Sequence, residues 1–498
     1  MKAAPLLPPI AATQPTTEFV PLPPLADRPE LPNPASILNP ETAPIDLDSA
    51  LRLAGVRNPE LMQARARVSE SIALRQFAAA QILPSINLGT NYDNHQGNLQ
   101  ASDGSILNVD RQAVYVGAGT NAVGAGTVQI PGVQYNLNLS DSLFGFLRTR
   151  QVVAQRTFAN VAARNDVLLR VSVAHVDLMR GEGSRAVAVR TRDESAEVAR
   201  LTESYARAGV GRLADADRAA TELARRQTDV LLAEASVLTV SARLAALLNL
   251  DPVVRLHPIE PWIVPVSVVP DTMPLSELVA ISLLQRPELA ERRAAIREAL
   301  LAADAARVLP FSPQIILGYS AGGFGGGILG TPTAFDGRSD FDAIFYWTLQ
   351  NLGVGNAALV RAAEARARIA DFQQLVVLNR VRQEVAEAYA RIHARQAQIV
   401  ISEQAVLRGQ NAFAQDMKRI RGQEGLPIEV LDSLRLLGRA REDYLNAIAD
   451  FNRAQLEMYV ALGQPPADVL AQPQQAIIRL PPVPSPLPPV EEPAGVAP

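Results

Sequence analysis

The chain has 498 residues, of which 48% are hydrophobic, 20% charged and only 5% aromatic, and its formal net charge is −4. It contains no cysteine, which excludes disulfides, thiolate catalysis, cysteine-ligated metals and a lipid attached to a cysteine of this chain. The slightly acidic balance argues against nucleic acid as the main partner. No uninterrupted apolar run reaches the roughly 18 residues of a transmembrane helix, so none is expected.

Both ends of the chain are rich in proline. Residues 1–45 and 464–498 show little periodicity, which predicts extended or disordered segments. Prolines soon after Met1 would also break the apolar region of a signal peptide. Either the natural start lies upstream or the protein is not exported.

Between these ends the sequence repeats itself. The first copy covers 46–262, a linker covers 263–273, and the second copy covers 274–463. Each copy opens with a Pro-Glu-Leu motif, and the two prolines are 287 − 59 = 228 residues apart. Two copies of one long unit are therefore predicted.

Each copy predicts a helix ending in Leu-Pro, two strands around a glycine-rich insert, and two long helices. The strands alternate apolar and polar residues with period two. They are predicted at about 85–93, 132–141, 313–321 and 341–349. Tyr92, Tyr319, Phe345 and Trp347 are aromatic residues typical of the interfacial girdle of a membrane barrel. The glycine-rich inserts are interpreted as flexible extracellular loops.

The long helices carry apolar residues at coiled-coil spacing. From Ala357 to Arg421 no proline interrupts the pattern, which predicts about 90 Å of helix at about 1.5 Å per residue. Turns are predicted near 209–212 in the first copy and near 422–427 in the second. Helices this long must pack laterally against similar helices.

Four strands per chain are too few for a membrane barrel. Strand edges cannot stay unpaired in hydrocarbon, and closed barrels need about eight strands or more. A membrane location therefore requires oligomerisation, and three chains would supply twelve strands. The same assembly would gather the helices into a second barrel.

These features together resemble the outer membrane efflux protein (TolC-like) family over about residues 45–465. The resemblance is carried by the opening motifs, the Leu-Pro/strand junctions, the run from Tyr346 to Gly355, Glu384–Tyr389, Ile428–Asp432 and the closing Ala-Leu-Gly at 461–463. It implies a mainly helical fold with a β-barrel portion. It also implies a homotrimer in the outer membrane of a Gram-negative bacterium, with the helices in the periplasm. Its partners would be outer-membrane lipid, a periplasmic adaptor (membrane fusion) protein and an inner-membrane pump.

By this resemblance the protein is a passive exit duct for efflux or type I secretion, and the helical tips control it. Glu429 and Asp432 correspond to acidic rings at the periplasmic constriction, where clustered carboxylates repel one another and attract cations. Asp215 and Asp217 correspond to residues that hold the tip closed. The alternative for these acids is an ordinary place at a helix N-terminus, where negative charge favours the dipole. Residues around both turns are candidates for adaptor contact: Arg207, Gly209, Gly211, Arg212, Arg421, Gly422, Gly425 and Leu426.

No catalytic, cofactor or metal site is predicted. The glycine-rich segments lack the Gly-Lys-Ser/Thr ending of a phosphate-binding loop, and the four histidines are scattered. Two alternatives to the channel remain open. One is a coiled-coil interaction protein such as a periplasmic adaptor, although an adaptor carries one hairpin instead of two; the other is a degenerate, non-exported relative.

Overall fold

The computed structural model describes residues 42–120, 130–260, 263–270, 272–328 and 333–464. Within these ranges the helices are α1 (Leu47–Arg57), α2 (Pro59–Ala80), α3 (Leu139–Arg207), α4 (Leu213–Leu247), α5 (Leu275–Gln285), α6 (Pro287–Val308), α7 (Val354–Arg421) and α8 (Pro427–Ala461). The strands are β1 (Thr42–Ile45), β2 (Ser85–Ile86), β3 (Leu88–Gln100), β4 (Ile106–Thr120), β5 (Ile130–Pro131), β6 (Val133–Asn138), β7 (Arg255–Pro258), β8 (Gln314–Ile328) and β9 (Thr333–Tyr346).

The helices of the two copies match in length. Helices α1 and α5 have 11 residues each, α2 and α6 have 22 each, α3 and α7 have 69 and 68, and α4 and α8 have 35 each. In each copy the last two helices form a long antiparallel pair, because their apolar stripes face each other and one tight turn joins them.

The start of the second helix is anchored in the same way in both copies. Asn58 caps α2 and its Nδ2 donates to the Leu247 carbonyl at 2.9 Å. Arg286 precedes α6, and its Nε donates to the Ala461 carbonyl at 2.8 Å. Each residue therefore ties the start of its copy to the end of that copy's last helix, although one side chain is neutral and the other charged.

The main sheet has four strand positions, called lanes here, and two of them are each made of two separate strands. The first lane is β2 with β3, and the second is β4 continued by β6. The third lane is β8, which pairs with β4 along one half and with β6 along the other, and the fourth is β9. All of these pairings are antiparallel, and β8 joins the strands of the first copy to those of the second.

The strands differ from the prediction in their limits. The predicted loop glycines Gly322–Gly327 lie inside β8, and Gly117 and Gly119 lie inside β4. The segment predicted as strand 132–141 ends at Asn138, because that side chain accepts a hydrogen bond from Asp141 N at 3.1 Å and caps α3. The segment predicted as strand 341–349 ends at Tyr346.

The N-terminal segment also differs from its prediction where the structure describes it. Thr42–Ile45, placed in the disordered segment 1–45, forms a strand that pairs in parallel with Arg255–Pro258. Residues 1–41 and 465–498 lie outside the described part of the chain. Of the described helices, only α4 is long and apolar enough to cross a membrane by length and composition, and it packs along α3.

A buried histidine lies beneath this two-stranded sheet. His175 on α3 is 1% exposed, and its Nε2 lies 3.6 Å from Glu260 Oε2. Burial lowers the pKa of His175, while the nearby charges of Glu260 and Asp46 oppose that shift in part. The folded protein therefore binds this proton less readily than the unfolded chain does.

Acidification is therefore expected to destabilise the fold through His175. The loss begins as the pH falls below about 6.5, the unfolded pKa of histidine, and is separate from carboxylate protonation near pH 4. Between pH 7.5 and pH 5, the melting temperature of His175→Gln should fall less steeply with decreasing pH than that of the wild type. His257→Gln serves as the control, because His257 is exposed beside Glu182. Equal slopes for the wild type and His175→Gln would contradict the assignment.

Candidate functional site: sheet faces and hairpin tips

The main sheet has one apolar face. The strand registers place its members on one side: Leu88, Tyr92, Val116, Tyr319, Phe335, Phe341 and Phe345. Most of their side chains are strongly exposed, including Leu88 at 81% and Phe341 at 67%. A continuous exposed apolar sheet face of this kind is typical of contact with lipid or with another apolar surface.

The opposite face of the sheet is polar. It carries these residues: Asn91, Asp93, His95, Arg111, Arg338, Asp340 and Asp342. Along β3 its residues are less exposed than their apolar-face neighbours, so the polar face is the concave one. Tyr115 is fully buried on this side, where its ring lies over Gly322 and its hydroxyl donates to the Ala118 carbonyl at 2.8 Å. Glycine is needed there because a Cβ at Gly322 would lie 2.4 Å from the Val116 carbonyl oxygen.

The sheet has two unpaired edges. Within the described ranges, β3 pairs only with β4, and β9 pairs only with β8. These edge strands have 13 and 14 residues. Long unpaired edges next to an apolar face are strong sites for pairing with another chain.

The tips of the two helical hairpins lie side by side. The Tyr205 hydroxyl, near the end of α3, donates to the carbonyls of Ile420 at 3.1 Å and Arg421 at 3.3 Å. Apolar residues from all four long helices pack beneath the turns: Val198, Ala219, Met417, Ile420, Val430 and Leu431. The two turns of one chain therefore form a single surface.

The turns share one hydrogen-bond pattern. Val210 N donates to the Tyr205 carbonyl at 3.0 Å, and Glu424 N donates to the Arg419 carbonyl at 3.0 Å. Such six-to-one bonds are typical of an α-helix that ends with one residue in the left-handed conformation. Gly209 takes the left-handed position in the first turn, at φ 73°, and Gln423 takes it in the second, at φ 62°.

Replacing Gln423 with glycine is expected to stabilise the second tip. A left-handed non-glycine residue costs about 1 kcal/mol, which glycine avoids. The converse change, Gly209→Gln, should destabilise the first tip by a similar amount. Thermal unfolding of both variants beside the wild type measures the effect, and a lower melting temperature for Gln423→Gly would contradict it.

Comparison with known proteins rests on structure, since no family model and no curated protein sequence matches the chain. The outer membrane protein VceC of Vibrio cholerae has a TM-score of 0.68 and 18% identity, over 84% of this chain and 96% of that one. The Campylobacter jejuni CmeC outer membrane channel gives 0.71 and 13%, over 84% and 85%. The open state of the Neisseria gonorrhoeae MtrE outer membrane channel gives 0.65 and 20%, over 84% and 89%.

The chain has the TolC-like outer-membrane efflux protein fold. The matches cover 84% of this chain and between 85% and 96% of each neighbour, so the likeness extends over most of both chains. The resemblance inferred from the sequence is confirmed at the level of the fold. Of the neighbours named here, VceC is an outer membrane protein, and CmeC and MtrE are outer membrane channels.

The two acids predicted at the constriction, Glu429 and Asp432, lie one turn apart on α8. Glu429 accepts from Leu426 N at 3.4 Å and lies 3.1 Å from Arg419 Nη1, so it caps its helix and is paired. Asp432 is exposed and has no hydrogen-bond or ion-pair partner in the described part of the chain. Asp432 is therefore the freer of the two carboxylates, and the role of both at a constriction stays a prediction.

The acids of the first tip differ in the same way. Asp215 pairs with Arg218 at 3.1 Å, which is the ordinary arrangement at a helix start. Asp217 is exposed, and within the described ranges its carboxylate contacts no partner. One chain therefore shows no inter-helix link through Asp217, and its part in holding the tip closed stays a prediction.

The candidates for adaptor contact form one surface across both turns. Arg207 pairs with Glu203, and Arg421 pairs with Glu197. Gly211 and Gly425 are at equivalent positions, and a Cβ at either would lie about 3 Å from residue Tyr205 or Arg419. The remaining candidates are exposed at or beside the turns: Gly209, Arg212, Gly422 and Leu426. Their contact with a partner stays a prediction.

Sequence reasoning missed the ion pairs that join the two hairpins. Glu222 on α4 lies 2.7 Å from both Arg226 and Arg435, and Arg441 on α8 lies 2.7 Å from Glu194 on α3. Each residue resembles an ordinary surface charge in sequence. One signal was available in the sequence. Arginine occurs at positions of α8 where the spacing of apolar residues predicts burial, and a buried charge needs a partner of opposite charge.

Proposed function

We propose that three copies of this chain form an outer-membrane channel that acts as the exit duct of a tripartite efflux or type I secretion system. The observation that carries this proposal is the four-lane sheet, with an apolar convex face, a polar concave face and two edges that are unpaired within the described part of the chain. The TolC-like fold supports the proposal, because its neighbours are outer membrane channels.

Pairing of the edges would close the barrel. The outer edge of β9 in one chain would pair with the outer edge of β2 and β3 in the next. Their similar lengths of 14 and 13 residues suit such a pairing. Three chains of four lanes would give twelve, enough to enclose a water-filled lumen lined by the polar face.

The height of the apolar face fits a bilayer. Ten residue steps separate Phe335 from Phe345 along β9, about 33 Å at about 3.3 Å per residue. A strand tilt of about 40° reduces this to about 25 Å, the apolar height of outer-membrane barrels. Beyond Phe345 toward the helices, Trp347 and Leu349 are exposed and would reach the headgroup region.

Conduction would need no chemical step. Solutes would cross the wide lumen passively, and the inner-membrane pump would supply the energy. The hairpin tips would form the periplasmic end, where adaptor contact would open a closed constriction. Three copies of Asp432, the freer acid, would favour cations at that constriction.

The proposal is tested by fractionating cells that express the gene with its natural upstream region. Outer-membrane extract is run on a denaturing gel with and without heating, and the purified protein is added to a planar lipid bilayer. We expect a heat-sensitive band near three times the 53.5 kDa of one chain, and stepwise conductance. A soluble monomer without conductance would refute the channel.

A further inference from the structure

A cavity of about 430 Å³ lies among three helices of one chain, away from the tips and the sheet. Its walls come from α3, α4 and α8, and Ala188, Ala233 and Gly438 leave it open. Helices α4 and α8 contact each other far less than either contacts α3. The cavity is therefore lined by two helices, α4 and α8, that pack only weakly against each other.

Four arginines line this cavity: Arg225, Arg226, Arg435 and Arg439. Two of them are already neutralised. Arg226 pairs with Glu222 at 2.7 Å and with Asp229 at 3.0 Å, and Arg435 pairs with the other oxygen of Glu222 at 2.7 Å. These contacts hold the side chains of Arg226 and Arg435 in fixed positions in the wall of the cavity.

The other two arginines, Arg225 and Arg439, have no partner. Neither makes a hydrogen bond or an ion pair with any residue that the structure describes. The Nε of Arg226 is also buried without a hydrogen-bond partner. Donors at the same cavity therefore remain unused on both sides of it, on α4 and on α8.

The acidic residue at the cavity does not cancel this charge fully. Glu442 accepts a hydrogen bond from Ser184 Oγ at 3.0 Å. Glu442 is half-buried, and this burial raises its pKa, which favours the neutral form of the carboxyl group. With Asp229 and Glu222 engaged, the cavity has an excess of positive charge.

We propose that this cavity, called here the arginine cavity, binds a small multivalent oxyanion between Arg225 and Arg439. Guanidinium groups present paired N–H donors that match the oxygens of phosphate and carboxylate groups. The volume of about 430 Å³ admits inorganic phosphate or a tricarboxylate. A bound anion would add a second link between α4 and α8, beside the Arg435–Glu222 ion pair. The site lies within one chain, so the inference does not rest on the proposed channel.

The test measures anion binding by the purified full chain in detergent. Inorganic phosphate and citrate are titrated separately, with sodium chloride matching the ionic strength, and the melting temperature is followed. We expect saturable stabilisation by at least one of the two anions and none by chloride. The two titrations distinguish a phosphate-type ligand from a polycarboxylate.

Two variants locate the effect. Arg439→Gln and Arg225→Gln should each weaken anion binding at least tenfold. The control is Arg408→Gln on α7, which should bind like the wild type, because Arg408 is exposed and has no partner among the residues that the structure describes. Both cavity variants alter exposed side chains, so circular dichroism should show unchanged helix content. The proposal is overturned if the wild type shows no saturable shift, or if both cavity variants retain wild-type affinity.

Discussion

Replacing Phe341 with arginine is expected to abolish accumulation of the protein in the outer membrane. Phe341 is 67% exposed near the middle of the apolar face, opposite Tyr319 on β8. An arginine at the bilayer midplane of a barrel costs about 2–4 kcal/mol per chain, so about 6–12 kcal/mol in a trimer. The heat-sensitive band should disappear from the outer-membrane fraction.

The neighbouring residue provides the control. Asp342 lies on the polar face opposite Gly318, so Asp342→Arg introduces the same side chain on the other side of one strand. In a barrel this arginine would point into the water-filled lumen and be tolerated. If both variants accumulate normally, or if both are lost equally, the two faces do not have the assigned roles.

Replacing Glu222 with glutamine is expected to lower the melting temperature strongly. Glu222 is 4% exposed and holds Arg226 and Arg435 with one carboxylate. The hydrogen bond from Arg435 is the main reason that the pKa of Glu222 is lowered. Removing one member of a buried ion cluster costs about 3–5 kcal/mol, and we expect about 3 kcal/mol because Arg435 is half exposed.

The pH dependence of this cluster gives an independent check. A carboxyl whose folded pKa is lowered stabilises the protein above its unfolded pKa, and the stabilisation is lost as the pH falls below about 4.5. The difference between the wild type and Glu222→Gln should therefore shrink at pH 3.5. Glu234→Gln on the same helix is the control, because Glu234 is exposed and unpaired among the described residues. A Glu222→Gln protein as stable as this control would contradict the buried ion cluster.

The helical part of the fold was predictable from the sequence, because its signals are local and repeated. An unbroken apolar period from Ala357 to Arg421 matches α7, and the turn glycines at 209 and 425 lie between helices. The pattern also predicted the pairing of each long helix with the next. It could not place Glu222 or Arg441 in ion clusters, since the partners lie on helices distant in sequence.

The limits of the strands were harder to predict, because glycine carries no strand signal. Gly323 and Gly325 resemble a loop in sequence, yet they lie in β8 under the ring of Phe335. Tyr115 covers Gly322 from the other face of the sheet. A cross-strand aromatic ring supplies the contacts that glycine lacks, and such a pairing is visible only in three dimensions. The tip acids were proposed from the family resemblance alone, and only the structure shows which of them have ion-pair partners among the described residues.

The central position of β8 has a consequence for biogenesis. Its partners β4 and β6 precede it by about two hundred residues, and the long hairpin of α3 and α4 lies between them. The first-copy strands therefore cannot complete their sheet until β8 has been synthesised. The hairpin of α3 and α4 depends on local contacts and can form much sooner. During that interval the strands β2, β3, β4 and β6 would expose apolar side chains and open edges, so this part of the chain would be the most prone to pair with other chains.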